Sequence, residues 1–477
     1  MKKLIKIRVD ASSEIGYGHL TRCCALINSI TEIHALFYST EPIEEIIQQM
    51  CTIDFTLVSL TNSNDFLEHI EAEDLIIIDG YQFDTNYFTR LKRNGAKVIF
   101  IDDLANQHLP VDAIVNPTPG FDARSFSSLL CTQYFLGLDF ALLRSSFQAL
   151  ANVQLSSKIE NSLFICFGGS DPLNKTLIAY KAAIDSQIFS EIHIVLGPGY
   201  SHAVQFEDSA IPVTIYRALS EKKMASLMSQ MEYGIIPTSG ILLECLAAKI
   251  KVISGYYIEN QQFVYAEHLK LHSFVDASDL SYEAIFSGII EVKKIGTKRT
   301  TIDGKSTKRL SKMIRSIQSE IRYNLRLATA EDIDITYEWA NQEATRKYAF
   351  NKNFIPFENH TNWFLFKLSS AHCMYYILTE GEKPIGSIRF DLSGQIATIS
   401  YLLDPLTHGK GLGTILMKKG LEMFENFIVS NEIEIEIVQG YVLMENIASV
   451  KLFERFGFKV EIESNMYLFK KNTRIHV

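Results

Sequence analysis

Gly16-Tyr17-Gly18-His19-Leu20-Thr21-Arg22 is the first stretch whose residue types and spacing permit chemistry. An apolar run, Ile5-Lys6-Ile7-Arg8-Val9, precedes it, and a helix-forming segment over residues 20–30 follows. A glycine turn between strand and helix lets the backbone approach a ligand and aims unpaired N–H groups at an anion. A histidine there can take or give a proton beside a departing phosphate. Gly16, Gly18 and Arg22 are therefore candidate binding residues and His19 a candidate catalytic one. The plain alternative is a tight strand-to-helix turn with an incidental histidine.

Comparable turns recur along the chain. Residues 163–167 lead into Gly168-Gly169-Ser170-Asp171-Pro172, and residues 192–196 into Gly197-Pro198-Gly199. Residues 233–236 lead into Pro237-Thr238-Ser239-Gly240, with Glu244 on the helix beyond. Two apolar strands end in acids, Asp79 and Asp102-Asp103, where groups past the carboxyl ends of parallel strands line a ligand crevice. Much later, His408-Gly409-Lys410-Gly411-Leu412-Gly413-Thr414 sits between a strand and a helix. Successive N–H groups in such a loop can ring a pyrophosphate.

The elements that must position these residues fall into three blocks. At 477 residues the chain has room for roughly three domains of about 150 residues. The first, 1–150, has expected strands over 3–9, 34–38, 75–78 and 97–101 alternating with helices, the pattern of a parallel doubly wound sheet. The second, 151–322, repeats that logic and ends in a closing helix through Leu310, Met313 and Ile317 plus a linker. The third, 323–477, changes character: helices over 331–340 and 360–368, then antiparallel strands over 374–379, 383–391 and 397–403. The fold class is thus α/β, with two Rossmann-like halves followed by a third α/β domain.

Composition narrows the function classes. A net charge of −9 opposes a nucleic-acid grip built on phosphate contacts. The seven cysteines form no CxxC or Cys/His ligand spacing, so buried reduced thiols are expected. No apolar run approaches the roughly 20 residues of a membrane span, and residues 4–9 are too short for a signal segment. A cytoplasmic location and no membrane partner follow as expectations. Asp332-Ile333-Asp334 reads as a helix first turn, so no metal is expected.

The combination of Gly-x-Gly-His, Gly168-Gly169-Ser170-Asp171-Pro172 and Ser239-Gly240…Glu244, with Arg8-Val9-Asp10-Ala11-Ser12 and Ile78-Asp79-Gly80-Tyr81…Asp84, resembles a known family. It is similar to the UDP-2,4-diacetamido-2,4,6-trideoxy-β-L-altropyranose hydrolases of pseudaminic acid biosynthesis. The resemblance implies twin Rossmann-like, GT-B-type domains and a UDP-activated amino sugar as substrate. It makes His19 the base for water at the anomeric carbon, or an acid for the leaving phosphate, and Tyr81 an active-site tyrosine. It also implies that Gly168, Gly169, Ser170, Thr238, Ser239 and Gly240 face the diphosphate, that Glu244 accepts ribose hydroxyls, and that Asn260 and Gln261 contact the sugar. One departure is Pro237 before, and Ile241-Leu242 after, the third turn, which is usually richer in glycine and hydroxyls.

The late glycine loop is followed by Asn446-Ile447-Ala448-Ser449-Val450-Lys451-Leu452-Phe453-Glu454-Arg455-Phe456-Gly457-Phe458. Together with Ile399-Ser400-Tyr401-Leu402-Leu403, these resemble the GNAT N-acyltransferases. The resemblance implies acetyl-CoA as cosubstrate and a strand that splays from its neighbour to pair with the pantetheine arm. Leu402, Leu403, His408, Gly409, Lys410, Gly411, Gly413, Thr414 and Asn446 are then the cofactor-binding candidates. The run Asn341…Arg346…His360…Trp363 resembles acetyltransferases acting on UDP-4-amino sugars, with Arg346 toward the phosphates. Phe453 departs from the family, many members of which carry a tyrosine there as general acid. Another hydroxyl, a water or solvent must then protonate the thiolate, and Glu436 and Glu445 are weak candidates for the base.

The two halves make sense as consecutive steps, N-acetylation followed by hydrolysis. Alternatives are a glycosyltransferase of the same fold, a module retained only for binding, or another sugar isomer or acyl donor. Oligomeric state is left open.

Overall fold

The computed structural model describes residues 3–12, 15–72, 74–153, 157–203, 210–217, 219–294, 302–319 and 322–473. Runs dominated by Ile and Val become strands buried on both faces. The first sheet comprises β1 (Lys3–Val9), β2 (Ile33–Ser39), β3 (Phe55–Ser59), β4 (Leu75–Asp79), β5 (Lys97–Ile101), β6 (Ala113–Asn116) and β7 (Gln133–Leu136). Its order is β3-β2-β1-β4-β5-β6-β7, and the pairs among β1 to β5 are parallel. Strand order reverses between β1 and β4, so the chain leaves these neighbours in opposite directions and opens a crevice at their carboxyl ends. Helix α1 (Gly18–Ile27) starts at that crevice.

The second sheet repeats this plan. Strands β8 (Ile159–Ile165), β9 (Glu191–Leu196), β10 (Val213–Arg217), β11 (Met231–Pro237), β12 (Lys251–Gly255) and β13 (Val275–Asp276) are all parallel, in the order β10-β9-β8-β11-β12-β13. Alternate residues enter separate cores. Leu163, Ile165 and Ile235 join Ala179 and Ala183 of α2 (Lys175–Ser186), whereas Phe164, Cys166 and Ile236 join Leu242 and Leu246 of α3 (Gly240–Ala247). Helices therefore cover both faces. The closing helix α4 (Ser306–Ser319) buries Leu310, Met313 and Ile317, as its spacing predicts.

The third sheet is mostly antiparallel: β14 (Tyr323–Leu327), β15 (Cys373–Glu380), β16 (Lys383–Ser393), β17 (Ile396–Leu403), β18 (Ile437–Leu443), β19 (Lys459–Glu463) and β20 (Met466–Asn472), ordered β14-β15-β16-β17-β18-β20-β19. Only β17 and β18 pair in parallel. Helices α5 (Ile333–Asn341) and α6 (Phe357–Ser369) precede β15, α7 (Leu412–Ser430) joins β17 to β18, and α8 (Ile447–Arg455) follows β18.

The compact units are not contiguous in sequence. One holds Met1–Leu104, Val115–Phe121 and Phe135–Lys312; the other holds Ala105–Ile114, Asp122–Tyr134 and Met313–Val477. Two pieces of the first sequence block thus belong to the second unit, which cuts at 150 and 322 do not anticipate. Leu130 and Cys131 enter the core formed by α7 and the third sheet. Lys418 of α7 pairs with Asp112 at 2.8 Å, both side chains fully buried. Lys471 Nζ donates to the Leu130 carbonyl at 3.1 Å. The buried Lys–Asp pair carries no periodic signature, so the sequence gives no sign of this strap.

The cysteines are unpaired as disulfides, though Cys51 and Cys373 are only partly buried. Cys24 has its sulfur neighbour in Cys51, at 2.9 Å, rather than in the adjacent Cys23. No helix among the described residues is long and apolar enough to cross a membrane.

Candidate functional site

Chain reversal at β1/β4 puts His19 and Asp79 side by side. His19 Nδ1 lies 2.6 Å from Asp79 Oδ1, with the carboxylate fully buried. Arg22, one turn along α1, donates Nε and Nη2 to Asp79 at 2.9 and 2.7 Å and Nη1 to both oxygens of Asp103. Tyr81 Oη donates to Asp103 Oδ2 at 2.9 Å, and its ring meets the imidazole edge-on at 4.7 Å. The acids end β4 and follow β5, so three neighbouring strands supply the cluster.

Electrostatics assign the protons. Burial works to raise the Asp103 pKa, but Arg22 beside it holds the carboxyl below its usual range. Burial works against the Arg22 charge, and the two carboxylates raise its pKa well above the ordinary value. Burial and Asp103 push the Tyr81 phenol up, so it stays a donor. Arg22 Nη2 also lies 2.9 Å from His19 Nδ1, yet a guanidinium accepts no proton. With Asp79 ionised beside Arg22, the short His19–Asp79 contact requires Nδ1–H donating to Oδ1. The Nε2 lone pair is then left for a reacting group.

Gly16 has φ +86° and open space at its Cβ position, and Gly18 has the same openness. Tyr17 between them packs on Gly169, whose Cβ would lie 2.9 Å from the Tyr17 ring. The first and second glycine turns therefore meet. Gly197 is required beside them, because a Cβ there would strike the carbonyls of Gly168 and Gly169 at 2.3 Å.

Several donors expected to face a diphosphate are engaged internally. Asp171 caps α2 by accepting from Lys175 N and Thr176 N, each at 2.8 Å. Burial drives the Cys166 thiol up to about 11, opposed by a hydrogen bond from Gly168 N–H. Thr238 N donates to Gly255 O and Ser239 N to Pro237 O, while Thr238 Oγ1 pairs with Ser254 at 2.9 Å. The first-turn N–H groups of α3, at Gly240 and Ile241, have no intrahelical acceptor. No backbone partner is found for Gly169 N–H or Ser170 N–H among the described residues. Both Glu244 oxygens accept from Arg144, at 2.6 and 2.7 Å, so this acid is already half of a bidentate ion pair. Gln261 Oε1 is buried without a hydrogen-bond partner among the described residues; the Asn260 side chain lies outside them.

The second unit offers a different kind of site. β17 and β18 pair only through Ile396↔Ile437, Ala397↔Val438 and Thr398↔Gln439. β17 continues to Leu403 and β18 to Leu443 without pairing to each other, so the two strands splay. The loop beyond Leu403 passes through Gly409 (φ +78°) and Gly411 (φ +80°), each open at its Cβ position. A left-handed turn without side chains makes a cradle for an anion. Among the described residues no backbone bond is found for the N–H groups of Gly409, Gly411, Leu412 and Gly413, whereas His408 N and Lys410 N bond within the loop. Arg455 of α8 donates to Thr414 Oγ1 at 2.8 Å, placing a cation at the start of α7. Asn446 caps α8 through Ser449 N.

Phe453 is buried, stacked 5.1 Å from Phe469, and lies over Gly440, where a Cβ would meet its ring at 2.4 Å. The splay is therefore closed at its base by hydrocarbon. Beside it, Tyr401 Oη and Ser449 Oγ are 2.7 Å apart. Leu403, on the same face as Tyr401, packs with Leu452 against Gly413; Leu402 is on the opposite face.

Arg346 Nη1 donates to the carbonyls of Asn351 and Asn353, and its buried Nε has no partner among the described residues. His360 is buried against Thr336, at 3.1 Å. Glu445 pairs with Lys352 on the surface. Sequence reasoning named the strand-end acids but missed that Arg22 ties Asp79 to Asp103. The available signal was His19 and Arg22 three apart on one helix face. The Tyr401–Ser449 and Arg455–Thr414 contacts were missed because they join elements distant in sequence.

Residues 322–459 match the family model described as an acetyltransferase (GNAT) domain, which the C-terminal region carries. Over 264 residues the chain is 24% identical to the UDP-2,4-diacetamido-2,4,6-trideoxy-β-L-altropyranose hydrolase of Campylobacter jejuni, covering 54% of this chain and 93% of that one. An uncharacterised protein of Methanocaldococcus jannaschii is 23% identical over 478 residues, covering 95% of this chain and 96% of its own. Spermidine N-acetyltransferase from Vibrio cholerae, solved with CoA and spermine, aligns with 31% of this chain and 94% of its own at 16% identity and a TM-score of 0.28.

Proposed function

We propose that the chain is a bifunctional enzyme: an acetyl-CoA-dependent N-acetyltransferase acting on the C4 amine of a UDP-2-acetamido-4-amino-2,4,6-trideoxy-L-altrose, and a hydrolase that cleaves the resulting UDP-2,4-diacetamido sugar. The observation that carries the hydrolase half is the His19–Asp79 contact at 2.6 Å, buried at a strand-order reversal. Asp79 holds the imidazole in the tautomer whose Nε2 can take a proton from water. That water attacks the anomeric carbon, the C1–O bond breaks, and UDP leaves with the bonding pair. The imidazolium formed is neutralised by Asp79, and Arg22 and Asp103 keep the carboxylate in place.

Gly169, Ser170 and the first turn of α3 have donors to spare for the diphosphate, and Gln261 Oε1 can accept from a sugar N–H or hydroxyl. Glu244 reaches ribose hydroxyls in this reading only with oxygen lone pairs not used by Arg144, which orients it. The twin-domain, GT-B-type architecture of residues 1–322 belongs to the same proposal, supported by two parallel sheets with matching strand orders.

For the acetyltransferase half, the splay of β17 from β18 and the loop of residues 408–414 fit a pantetheine arm and a pyrophosphate. Acetyl-CoA supplies an activated acyl group. Leu402 and Leu403 lie on the part of β17 that does not pair with β18, Gly409, Gly411 and Gly413 offer N–H groups, and Lys410, Arg455 and Thr414 surround the anion position. Arg346, with no carboxylate partner found among the described residues, fits the UDP phosphates.

The test is product analysis by mass spectrometry after incubation with the UDP-4-amino sugar. With acetyl-CoA the expected products are UDP and a free diacetamido sugar; without it the UDP-sugar persists. Free UDP only when a second sugar or lipid acceptor is added would instead assign a glycosyltransferase.

A further inference from the structure

Acyl transfer from a thioester breaks a C–S bond and leaves the electron pair on sulfur, so a proton must reach that atom. Phe453 cannot give one. Resting on the acetyltransferase reading above, we infer that the hydroxyl pair Tyr401–Ser449 protonates the departing thiolate, with Ser449 or Tyr401 as the donor and the other as relay.

Three observations place the pair. Tyr401 lies on the part of β17 that has no partner in β18, the stretch that follows the last shared pair, Thr398↔Gln439. Ser449 lies in the first turns of α8, so their 2.7 Å hydrogen bond ties the part of β17 that leaves β18 to the helix that follows β18. Ser449 is one helical turn before Phe453, whose ring fills the base of the opening over Gly440. The hydroxyls thus border the opening where hydrocarbon ends. Burial raises the Tyr401 pKa, outweighing the opposing hydrogen bond from Ser449, so the phenol retains its proton at neutral pH.

The step balances without a further reactant. The amine nitrogen forms the C–N bond and the C–S bond breaks. Sulfur takes the proton from one hydroxyl, that hydroxyl is reprotonated by its neighbour, and solvent restores the last proton. The proton lost by the amine passes to solvent.

The experiment compares full-length wild type with Tyr401→Phe and Ser449→Ala. Calorimetric titration with acetyl-CoA should give affinities within about twofold of wild type, since neither change removes a backbone N–H. The acetyl-transfer kcat should fall about 10–100-fold in Tyr401→Phe, and its solvent deuterium isotope effect should collapse toward unity. Titration with free CoA in buffers of different ionisation heat should show less proton release at mildly alkaline pH in the variant, because the bound thiolate has lost a donor. An unchanged kcat in both variants, or a loss of kcat matched by an equal loss of acetyl-CoA binding, would overturn the inference. Failure of wild type to bind acetyl-CoA would overturn the acetyltransferase reading and this inference together. Normal binding and turnover with unresponsive variants overturns this inference alone.

Discussion

The cluster at His19 and the splay at Tyr401 solve related problems with different materials. At His19, five side chains from three strand ends lock together by charge, and the reactive nitrogen is whatever the carboxylates leave available. In the splay, the backbone makes most of the candidate site: two strands part, two left-handed glycines open, and neutral hydroxyls border the gap. A buried charge cluster depends on every member, because removing one strands its partner in a medium of low polarity. A backbone cradle tolerates side-chain changes but not a Cβ where none fits.

The largest expected effect follows from that difference. His19→Ala should lower UDP release about 10²–10⁴-fold while leaving acetyl transfer unchanged, measured on the same sample. Asp79→Asn should cost about 10²-fold, because an amide can present its N–H to the imidazole and select the wrong tautomer. Equal rates in Asp79→Asn would remove the charge cluster from the account.

Next is the strap. Lys418→Met strands Asp112 in the core and should destabilise the second unit by about 3–5 kcal/mol, read from denaturant unfolding. Adding Asp112→Leu should recover most of that loss. A fragment of residues 323–477 lacks Asp112 and Leu130 and should fail to unfold cooperatively.

A smaller effect should come from Gly411→Val, where φ is +80°. A β-branched residue there costs about 1–3 kcal/mol and should weaken acetyl-CoA affinity about tenfold without altering UDP release. The smallest effect is a pH dependence. Burial lowers the Lys471 pKa from 10.5 to about 8, despite Cys131 and Glu425 nearby. Between those values the unfolded chain binds more protons than the native one, so stability rises with pH across that window. Below about 8 the native state carries the full cost of the buried charge. Lys471→Met should erase this rise, of order 1 kcal/mol per pH unit, in thermal unfolding followed from pH 8 upward.

Legibility in the sequence followed the range of the interactions. The expected strands over 3–9 and 97–101 coincide with β1 and β5, and 397–403 nearly with β17, because their apolar patterns are local. The glycine loop at 408–414 was readable for the same reason. Edge strands such as β3 and β10 were not, since their short mixed runs become strands only beside a neighbour. His19 was legible as a residue but its tautomer was not, because Asp79 lies 60 positions away. The internal use of Gly168 N–H, Asp171 and Glu244 was hidden likewise: each partner is set by packing rather than by spacing.

The proposed hydrolysis requires water to attack carbon at His19. Hydrolysis of the UDP-diacetamido sugar in heavy-oxygen water should place the label wholly on the freed sugar, with the rate lowered about 10²–10⁴-fold in His19→Ala. Label on the UDP phosphate, or cleavage at an undiminished rate without the imidazole, would contradict it.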